Sequence, residues 1–283
     1  MPTDPRARIL LATDLDRTLI PNGAAPESPG ARQRFARVAA HPEVMLAYVS
    51  GRHRALVEEA IADYALPLPD FVIGDVGTTI YQVNDGDWRE WPEWHQVIGV
   101  DWAGRSAADL RAMLAPLGEL VPQEDAKQNR YKLSYYALAL DDPQPLLSEV
   151  RARLQAEGIR ANLVWSIDEA ADCGLLDVLP AGASKLHALE FLCGKLDIDN
   201  ARAVFAGDSG NDLEVLAGPL LSVLVANASE DVREQAIALA AERGNAETLY
   251  LAHGEGGGMN GNYSAGILEG LAHFLPETRS WWD

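Results

Sequence analysis

Cysteine is scarce in this chain. Only Cys173 and Cys193 occur, too few for a disulfide framework or a cysteine-based zinc site, and the expected compartment is a reducing one. Basic residues are scarce too: 23 Lys and Arg stand against 42 Asp and Glu, a net charge of −19. Phosphate backbones are bound by basic surfaces, so the balance excludes nucleic acid as a partner. It also excludes an anionic membrane surface. No apolar run is long enough to span a bilayer, and the first one, Ile9 to Ala12, is too short for a secretory signal and ends in charge. A cytoplasmic location is expected. No repeat of fixed period is present, and the six histidines are dispersed without metal-ligand spacing. His95 and His187 read as surface or hydrogen-bonded groups. The surplus acid reads as a solvated coat, with an anionic small substrate still open if a metal and a few cations offset the field locally.

What is present is an alternating pattern of strands and helices. Strands are expected over Ile9–Thr13, Val44–Val49 and from Phe71, with helices over Pro29–Ala40 and Arg54–Ala65 between them. Such alternation implies a parallel sheet with right-handed crossovers. The pattern changes after Tyr81. A helix is expected over Ser106–Leu117 with Ser106 as N-cap, then a strand over Tyr131–Leu140 and a helix over Pro145–Glu157. Strands follow over Arg160–Ser166 and Leu175–Leu179, joined by a polar turn through Asp168–Gly174. The alternation resumes with a helix over Ser184–Leu196 and continues to a last helix over Ser264–Phe274. The fold class is therefore α/β: a Rossmann-like parallel-sheet core with an inserted α+β cap domain. The expected boundaries are residues 1–82 and 179–283 for the discontinuous core and 83–178 for the cap.

Four motifs carry chemistry. In the first, an apolar strand empties into Asp14-Leu15-Asp16 followed by Thr18. Alternation along an extended backbone points the two carboxylates the same way. One carboxylate can attack phosphorus, and the other can protonate a leaving oxygen and then activate water. In the second, a strand ends at Ser50-Gly51-Arg52: the hydroxyl can donate to a phosphoryl oxygen, and the glycine lets backbone approach it. In the third, Lys185 stands at a helix start, unfavourable for the helix dipole unless a phosphate offsets it. In the fourth, a second apolar strand ends in Gly207-Asp208-Ser209-Gly210-Asn211-Asp212. Oxygen ligands without a nearby histidine or cysteine suit Mg²⁺ better than zinc. Two acidic strand ends far apart in sequence suggest one hard-cation site at the edge of a parallel sheet.

These motifs, in this order, resemble the haloacid dehalogenase superfamily of phosphatases, and the insertion resembles its type-two α/β cap. Phe71–Tyr81, Asn129–Tyr135, Leu176–Pro180 and Ala265–Phe274 are similar to stretches of the sucrose-6-phosphate phosphatases. The resemblance implies Asp14 as nucleophile and Asp16 as general acid/base. Asp14, the Asp16 backbone carbonyl and Asp208 would hold Mg²⁺, and Ser50, Gly51, Lys185 and Asn211 would bind the phosphoryl group. Asp212 would position Lys185 or a metal-bound water. Asn129, Lys132 and Asp177 would meet the substrate, while Arg52, from its place beside Ser50 and Gly51, either adds charge to the substrate or complements a surface acid. The implied reaction is Mg²⁺-dependent hydrolysis of a sugar phosphate through an aspartyl-phosphate, with sucrose 6-phosphate the leading substrate. Mannosylfructose phosphate, glucosylglycerol phosphate and a sugar phosphomutase activity are the alternatives. A sugar-phosphate synthase is a candidate partner. The chain departs from the family pattern at Arg17, where Gly or Asn is expected, at Leu19-Ile20, and in the glycine-rich Gly254–Gly261.

Other features have plainer readings. Trp88, Trp91 and Trp94 fit a small core or an interface better than a sugar-stacking platform. Gly256-Gly257-Gly258 reads as a flexible loop, because it lacks the strand-to-helix context of a nucleotide-binding loop. Trp281-Trp282 docks either on the body of the protein or on a partner.

Overall fold

The computed structural model describes residues 8–138, 142–168, 173–255 and 258–282, and the chain divides into two compact units. One comprises Met1–Glu90 and Lys185–Asp283, the other Trp91–Ser184. The polar turn through Asp168–Gly174 and the end of the strand expected over Tyr131–Leu140 fall partly outside the described residues, as do Gly256 and Gly257.

In chain order the larger unit begins with β1 (Ile9–Thr13), α1 (Ala31–Ala39), β2 (Val44–Val49), α2 (Arg54–Asp63), β3 (Phe71–Gly74), β4 (Thr79–Asn84) and β5 (Asp87–Glu90). The smaller unit holds α3 (Pro92–Gly99), α4 (Ala107–Leu114), β6 (Val121–Pro122), β7 (Leu133–Leu138), α5 (Gln144–Ala156), β8 (Ala161–Asp168) and β9 (Cys173–Pro180). The larger unit resumes with α6 (Lys185–Leu196), β10 (Ala203–Gly207), α7 (Leu213–Leu216), β11 (Leu221–Leu224), α8 (Glu230–Glu242), β12 (Leu249–Leu251) and α9 (Ser264–Phe274).

The larger unit is built on one sheet in the order β12-β11-β10-β1-β2-β3-β4-β5. From β12 to β3 the strands run parallel. Every residue of β1 is buried, as a strand covered on both faces requires, which is why it reads as the apolar run Ile-Leu-Leu-Ala closed by Thr13. The chain moves from β1 outward to β2 and β3, and later returns to the other side of β1 with β10, β11 and β12. The strand order therefore reverses between β1 and β10. At such a switch point the connections leave in opposite directions and open a crevice beyond the carboxyl ends of the strands. Both acidic motifs empty into that crevice.

The boundary between the units falls a few residues later than the sequence pattern suggests. Residues 83–90 stay with the larger unit because β4 and β5 extend its sheet as an antiparallel hairpin, with Val83 opposite Trp88. Asp85 and Gly86 turn the hairpin with φ of 49° and 84°, the left-handed pair that a tight hairpin turn demands. Trp88 closes over the core of this unit. Residues 179–184 stay with the smaller unit because β9 runs to Pro180 and pairs with β8 up to Ala161.

The smaller unit is an antiparallel sheet in the order β6-β7-β9-β8. Leu133, Tyr135, Leu176 and Val178 pack with Leu110, Leu114, Val150 and Leu154 of α4 and α5. Alternation places Ser134 and its register partner Asp177 on the opposite face. Ser106 caps α4 in a reciprocal capping box with Asp109. Trp88 belongs to the core of the larger unit, and Trp94 is buried. At the other end of the chain, Trp281 stacks on His41 at 3.6 Å, and the Trp282 carbonyl accepts from Arg37 Nη1 at 2.8 Å. The tryptophan pair docks on the body of the larger unit.

Candidate active site

The site grows from the ends of β1 and β10. Thr13 lies opposite Ala206, and the Asp14 N–H donates to the Ala206 carbonyl at 2.9 Å, so Asp14 and Asp208 emerge side by side. On the other side Thr13 lies opposite Tyr48, which brings the end of β2, with Ser50 and Gly51, to the same edge of the sheet.

Lys185, the first residue of α6, is 3% exposed. Its ammonium donates to Asp14 Oδ1 at 2.9 Å, Asn211 Oδ1 at 2.9 Å and Asp212 Oδ1 at 2.7 Å. All of its donors are spent. This resolves the cation at a helix N-terminus, since the carboxylates around it more than offset the dipole. Burial works against its charge, yet Asp14 and Asp212 hold its pKa above the ordinary lysine range.

Asp212 is the residue that folds the second acidic loop. Its Oδ2 accepts from the Asp208 and Ser209 N–H groups at 3.1 Å each and from the Ser209 hydroxyl at 3.0 Å. Gly207 makes room for this: a Cβ there would meet Asp212 Cγ at 2.6 Å. Asp208 keeps Oδ1 on the Thr18 hydroxyl at 3.1 Å and Oδ2 near Arg17 Nε at 3.1 Å.

Asp14, Asp208 and Asp212 are all buried, and each offers an oxygen within 4.8 Å of the others. Burial, with Asp212 and Asp208 nearby, pushes the Asp14 carboxyl up to about 7, with Lys185 pulling the other way. Burial and Asp212 raise Asp208 to about 6, opposed by Arg17. Crowded carboxylates that hold their protons this tightly are short of positive charge, and an all-oxygen donor set suits a hard divalent cation. The residues fit such an ion. Asp212 Oδ2 is committed to backbone N–H groups of its own loop and Oδ1 to the buried Lys185, whereas Asp208 meets only the side chains of Thr18 and the half-exposed Arg17, which leaves Asp14 and Asp208 as the better placed donors.

Asp16 stands apart from this cluster. Arg52 clamps it with two hydrogen bonds, Nε to Oδ2 at 2.8 Å and Nη2 to Oδ1 at 2.6 Å, and Asn22 Nδ2 adds a third at 2.8 Å. Burial acts to raise its pKa, but Arg52 and Asn22 outweigh it and hold the carboxyl below its ordinary value. Ser50 is buried, and its Oγ accepts from the Arg52 N–H at 3.2 Å. Behind it lies a turn with Asp75 and Val76 at φ of 53° and 60°, whose N–H groups donate to the Arg52 and Ser50 carbonyls.

The remaining candidates lie in the smaller unit. Lys132 is buried with its Nζ 3.8 Å from Asp177 Oδ2, and the Ser134 hydroxyl donates to Asp177 Oδ1. Asn129 Oδ1 accepts from the Tyr131 N–H at 2.8 Å, so that oxygen shapes the turn leading to Lys132. Asn22 and Asn227 were not singled out by the motifs, and Thr18 was named in the first of them without a role. Asn227 Nδ2 donates to the Arg17 carbonyl at 2.6 Å, and no periodicity could mark it. Thr18 lies within the first motif and carried the only available signal.

Residues 7–275 match the family described as sucrose-6F-phosphate phosphohydrolase. A putative HAD-like hydrolase of Nitrosococcus oceani is 54% identical over 98% of this chain and 75% of its own length. The mannosylfructose-phosphate phosphatase of Agrobacterium fabrum is 31% identical over 79% of this chain and 88% of its length. Of some other curated relatives the chain spans a smaller part, 31% in one and 59% in another. Among solved structures, the sucrose-phosphatase of Synechocystis sp. PCC6803, in complex with sucrose and phosphate, superposes with a TM-score of 0.70 at 24% identity. That match covers 94% of this chain and 98% of that one. With the parallel sheet, the switch-point crevice and the paired acidic loops in place, the match across nearly the whole chain has one meaning: this phosphatase belongs to the sucrose-6F-phosphate phosphohydrolase family of haloacid dehalogenase-like hydrolases.

Proposed function

We propose that the chain is a Mg²⁺-dependent phosphomonoesterase that hydrolyses sucrose 6-phosphate through a phosphorylated Asp14. The observation that carries this reading is the convergence of Asp14, Asp208, Asp212 and Lys185 at the switch point. Asp14 Oδ1 is held by Lys185, which orients Oδ2 as the attacking atom. As Oδ2 bonds to phosphorus the ester P–O bond breaks, and Asp16, having taken up a proton from solvent once Arg52 leaves it for the substrate, gives that proton to the departing sugar oxygen. Asp16 then takes a proton from water, whose oxygen attacks the same phosphorus. The Asp14–phosphorus bond breaks and inorganic phosphate leaves. Lys185 and Ser50 offset charge on the phosphoryl oxygens. Asp14, Asp208 and the Asp16 backbone carbonyl are the proposed holders of Mg²⁺, which when bound supplies further positive charge for those oxygens. Arg52 frees Asp16 for proton transfer by exchanging its carboxylate for an anionic substrate. Lys132 and Asp177 are the proposed sugar contacts.

The test is phosphate release from a panel of esters with and without Mg²⁺. Sucrose 6-phosphate is expected to exceed glucosylglycerol phosphate in kcat/KM by roughly tenfold or more, the scale of one or two lost sugar hydrogen bonds. The likeness to a mannosylfructose-phosphate phosphatase makes that ester the rival substrate, and a preference for it would replace sucrose 6-phosphate without altering the chemistry. Sugar-phosphate isomers formed without phosphate release would overturn hydrolysis in favour of a mutase.

The acidic cluster also sets a pH dependence. Asp14 and Asp208 have folded-state pKa values of about 7 and about 6, raised from 3.8. A raised carboxyl favours the folded state while protonated, so the metal-free protein loses stability as pH rises from about 4 towards 7. Cation binding needs both groups ionised. Mg²⁺ affinity is therefore expected to fall roughly tenfold from pH 7.5 to 6.0, with proton release on binding. Calorimetry in two buffers of different ionisation enthalpy measures both, and an affinity flat across that range contradicts the assignment.

A further inference from the structure

Arg17 sits in the middle of the first acidic loop, yet the hydrolytic scheme makes no use of it. Its backbone is left-handed, with φ of 56°, a conformation disfavoured for any residue carrying a Cβ and tolerated best by Gly, Asn and Asp. The surroundings impose it. The Arg17 N–H donates to Asn22 Oδ1 at 2.8 Å, and its carbonyl accepts from Asn227 Nδ2 at 2.6 Å. Asn227 is itself fixed by the Tyr263 N–H, 2.8 Å from its Oδ1, at a second left-handed residue with φ of 51°. Held this way, the side chain lies along Asp208, with Nε 3.1 Å from Oδ2.

Asp208 is 3% exposed, whereas the Arg17 side chain is 57% exposed. Both Asp208 oxygens are therefore occupied, Oδ1 by Thr18 and Oδ2 by a guanidinium. Lys185, the other cation of the cluster, is already committed to Asp14, Asn211 and Asp212. Arg17 thus supplies the charge that Asp208 would otherwise lack, and being half in water it can leave with little loss of packing. A divalent cation approaching Asp208 must displace it, or bind against its repulsion.

We propose that Arg17 is an internal counter-ion that competes with Mg²⁺ for Asp208 and so weakens metal binding relative to the same loop carrying a neutral residue. The proposal rests on the reading that Asp208 is a metal ligand. It concerns binding of the ion rather than turnover, so it is testable apart from activity.

The experiment is calorimetric titration of the full chain with MgCl₂ at pH 7.5, alongside thermal unfolding at matched Mg²⁺ concentrations. The variants are Arg17→Met, Arg17→Asn and Arg17→Lys. Met removes the charge and keeps the backbone cost; Asn removes both; Lys keeps the charge. Met and Asn variants are expected to bind Mg²⁺ about 5- to 20-fold more tightly than the parent, the ordinary size of a coupling between two ligands. The Lys variant should stay within about threefold of the parent, because its charge still repels the ion. Parent-like or weaker affinity in the Met and Asn variants overturns the proposal. Tightening in Asn alone overturns it too, since relief of the backbone rather than loss of charge would then be the cause. No binding by the parent or any variant, in heat or in unfolding temperature, overturns the metal reading itself and this proposal with it.

Discussion

Asp14→Asn is expected to lower kcat for phosphate release by at least about 10⁴-fold, the loss seen when the nucleophile of a covalent mechanism is removed. The amide is nearly isosteric, so it keeps the place beside Lys185 at the end of β1. What it loses is the oxygen anion proposed to bond to phosphorus. Folding should be little affected, because two contributions oppose each other. The ion pair with Lys185 is lost, but so is the repulsion from Asp212 and Asp208 that, with burial, drives the Asp14 carboxyl up to about 7. Thermal unfolding of the metal-free variant within a few degrees of the parent, together with lost turnover, is the expected pair of results. A trapped phosphoenzyme should form with the parent and be absent from the variant. Full turnover by Asp14→Asn would remove Asp14 as the nucleophile.

Asp14 was visible in the sequence because its surroundings obey two rules at once. A strand buried on both faces must be apolar throughout, and a polar group can appear only where the strand ends. Ile9–Thr13 and Ala203–Gly207 both meet that description, so the acidic residues after them mark the strand ends directly. Parallel pairing of β1 with β10 then follows from the crossover pattern, and the meeting of Asp14 with Asp208 follows from the pairing. Lys185 was visible for the opposite reason, as a cation where a helix disfavours one.

The contacts that tune these groups were not visible. Arg52 was expected to add charge to the substrate or to complement a surface acid, and the acid it clamps is Asp16. Arg17 was noted only as a departure from the family pattern, and it lies on Asp208. Long flexible side chains choose among several carboxylates by geometry that no local pattern encodes. Asn22 and Asn227 are amides in irregular segments, and their roles depend on backbone groups that only the folded loop presents. The β4–β5 hairpin is a different case. Its Asp85-Gly86 pair is a strong turn signal, but the change of pattern after Tyr81 put the expected boundary before it. Burial of Trp88 in the core of the larger unit decides the matter. At β12 the signal itself is weak: Leu249–Leu251 is an edge strand, only half-buried.

Lys185→Met is expected to destabilise the metal-free protein by about 3–5 kcal/mol at pH 7.5, the usual cost of leaving buried charge without its partner. For a unit of this size the melting temperature should fall by roughly 10 °C. Methionine fills much of the lysine stem's volume, so the loss is electrostatic rather than a cavity. The ammonium satisfies oxygens of Asp14, Asn211 and Asp212 together, and Asp212 also holds the second acidic loop in place through the Asp208 and Ser209 N–H groups. The pH dependence carries the argument further. The lysine pKa is raised on folding, so its contribution is present in full at every pH below its ordinary 10.5 and is lost only as pH rises above that. The acids that need it behave otherwise, since Asp14 takes up its proton near pH 7. Once Asp14 is neutral, a missing ammonium leaves less uncompensated charge. The deficit of Lys185→Met should accordingly shrink by several degrees between pH 7.5 and 5.5, and saturating Mg²⁺ should recover part of it at pH 7.5. A deficit of the same size at both pH values would mean that Lys185 stabilises the site by packing and hydrogen bonding alone, not as the counter-charge of an acidic cluster.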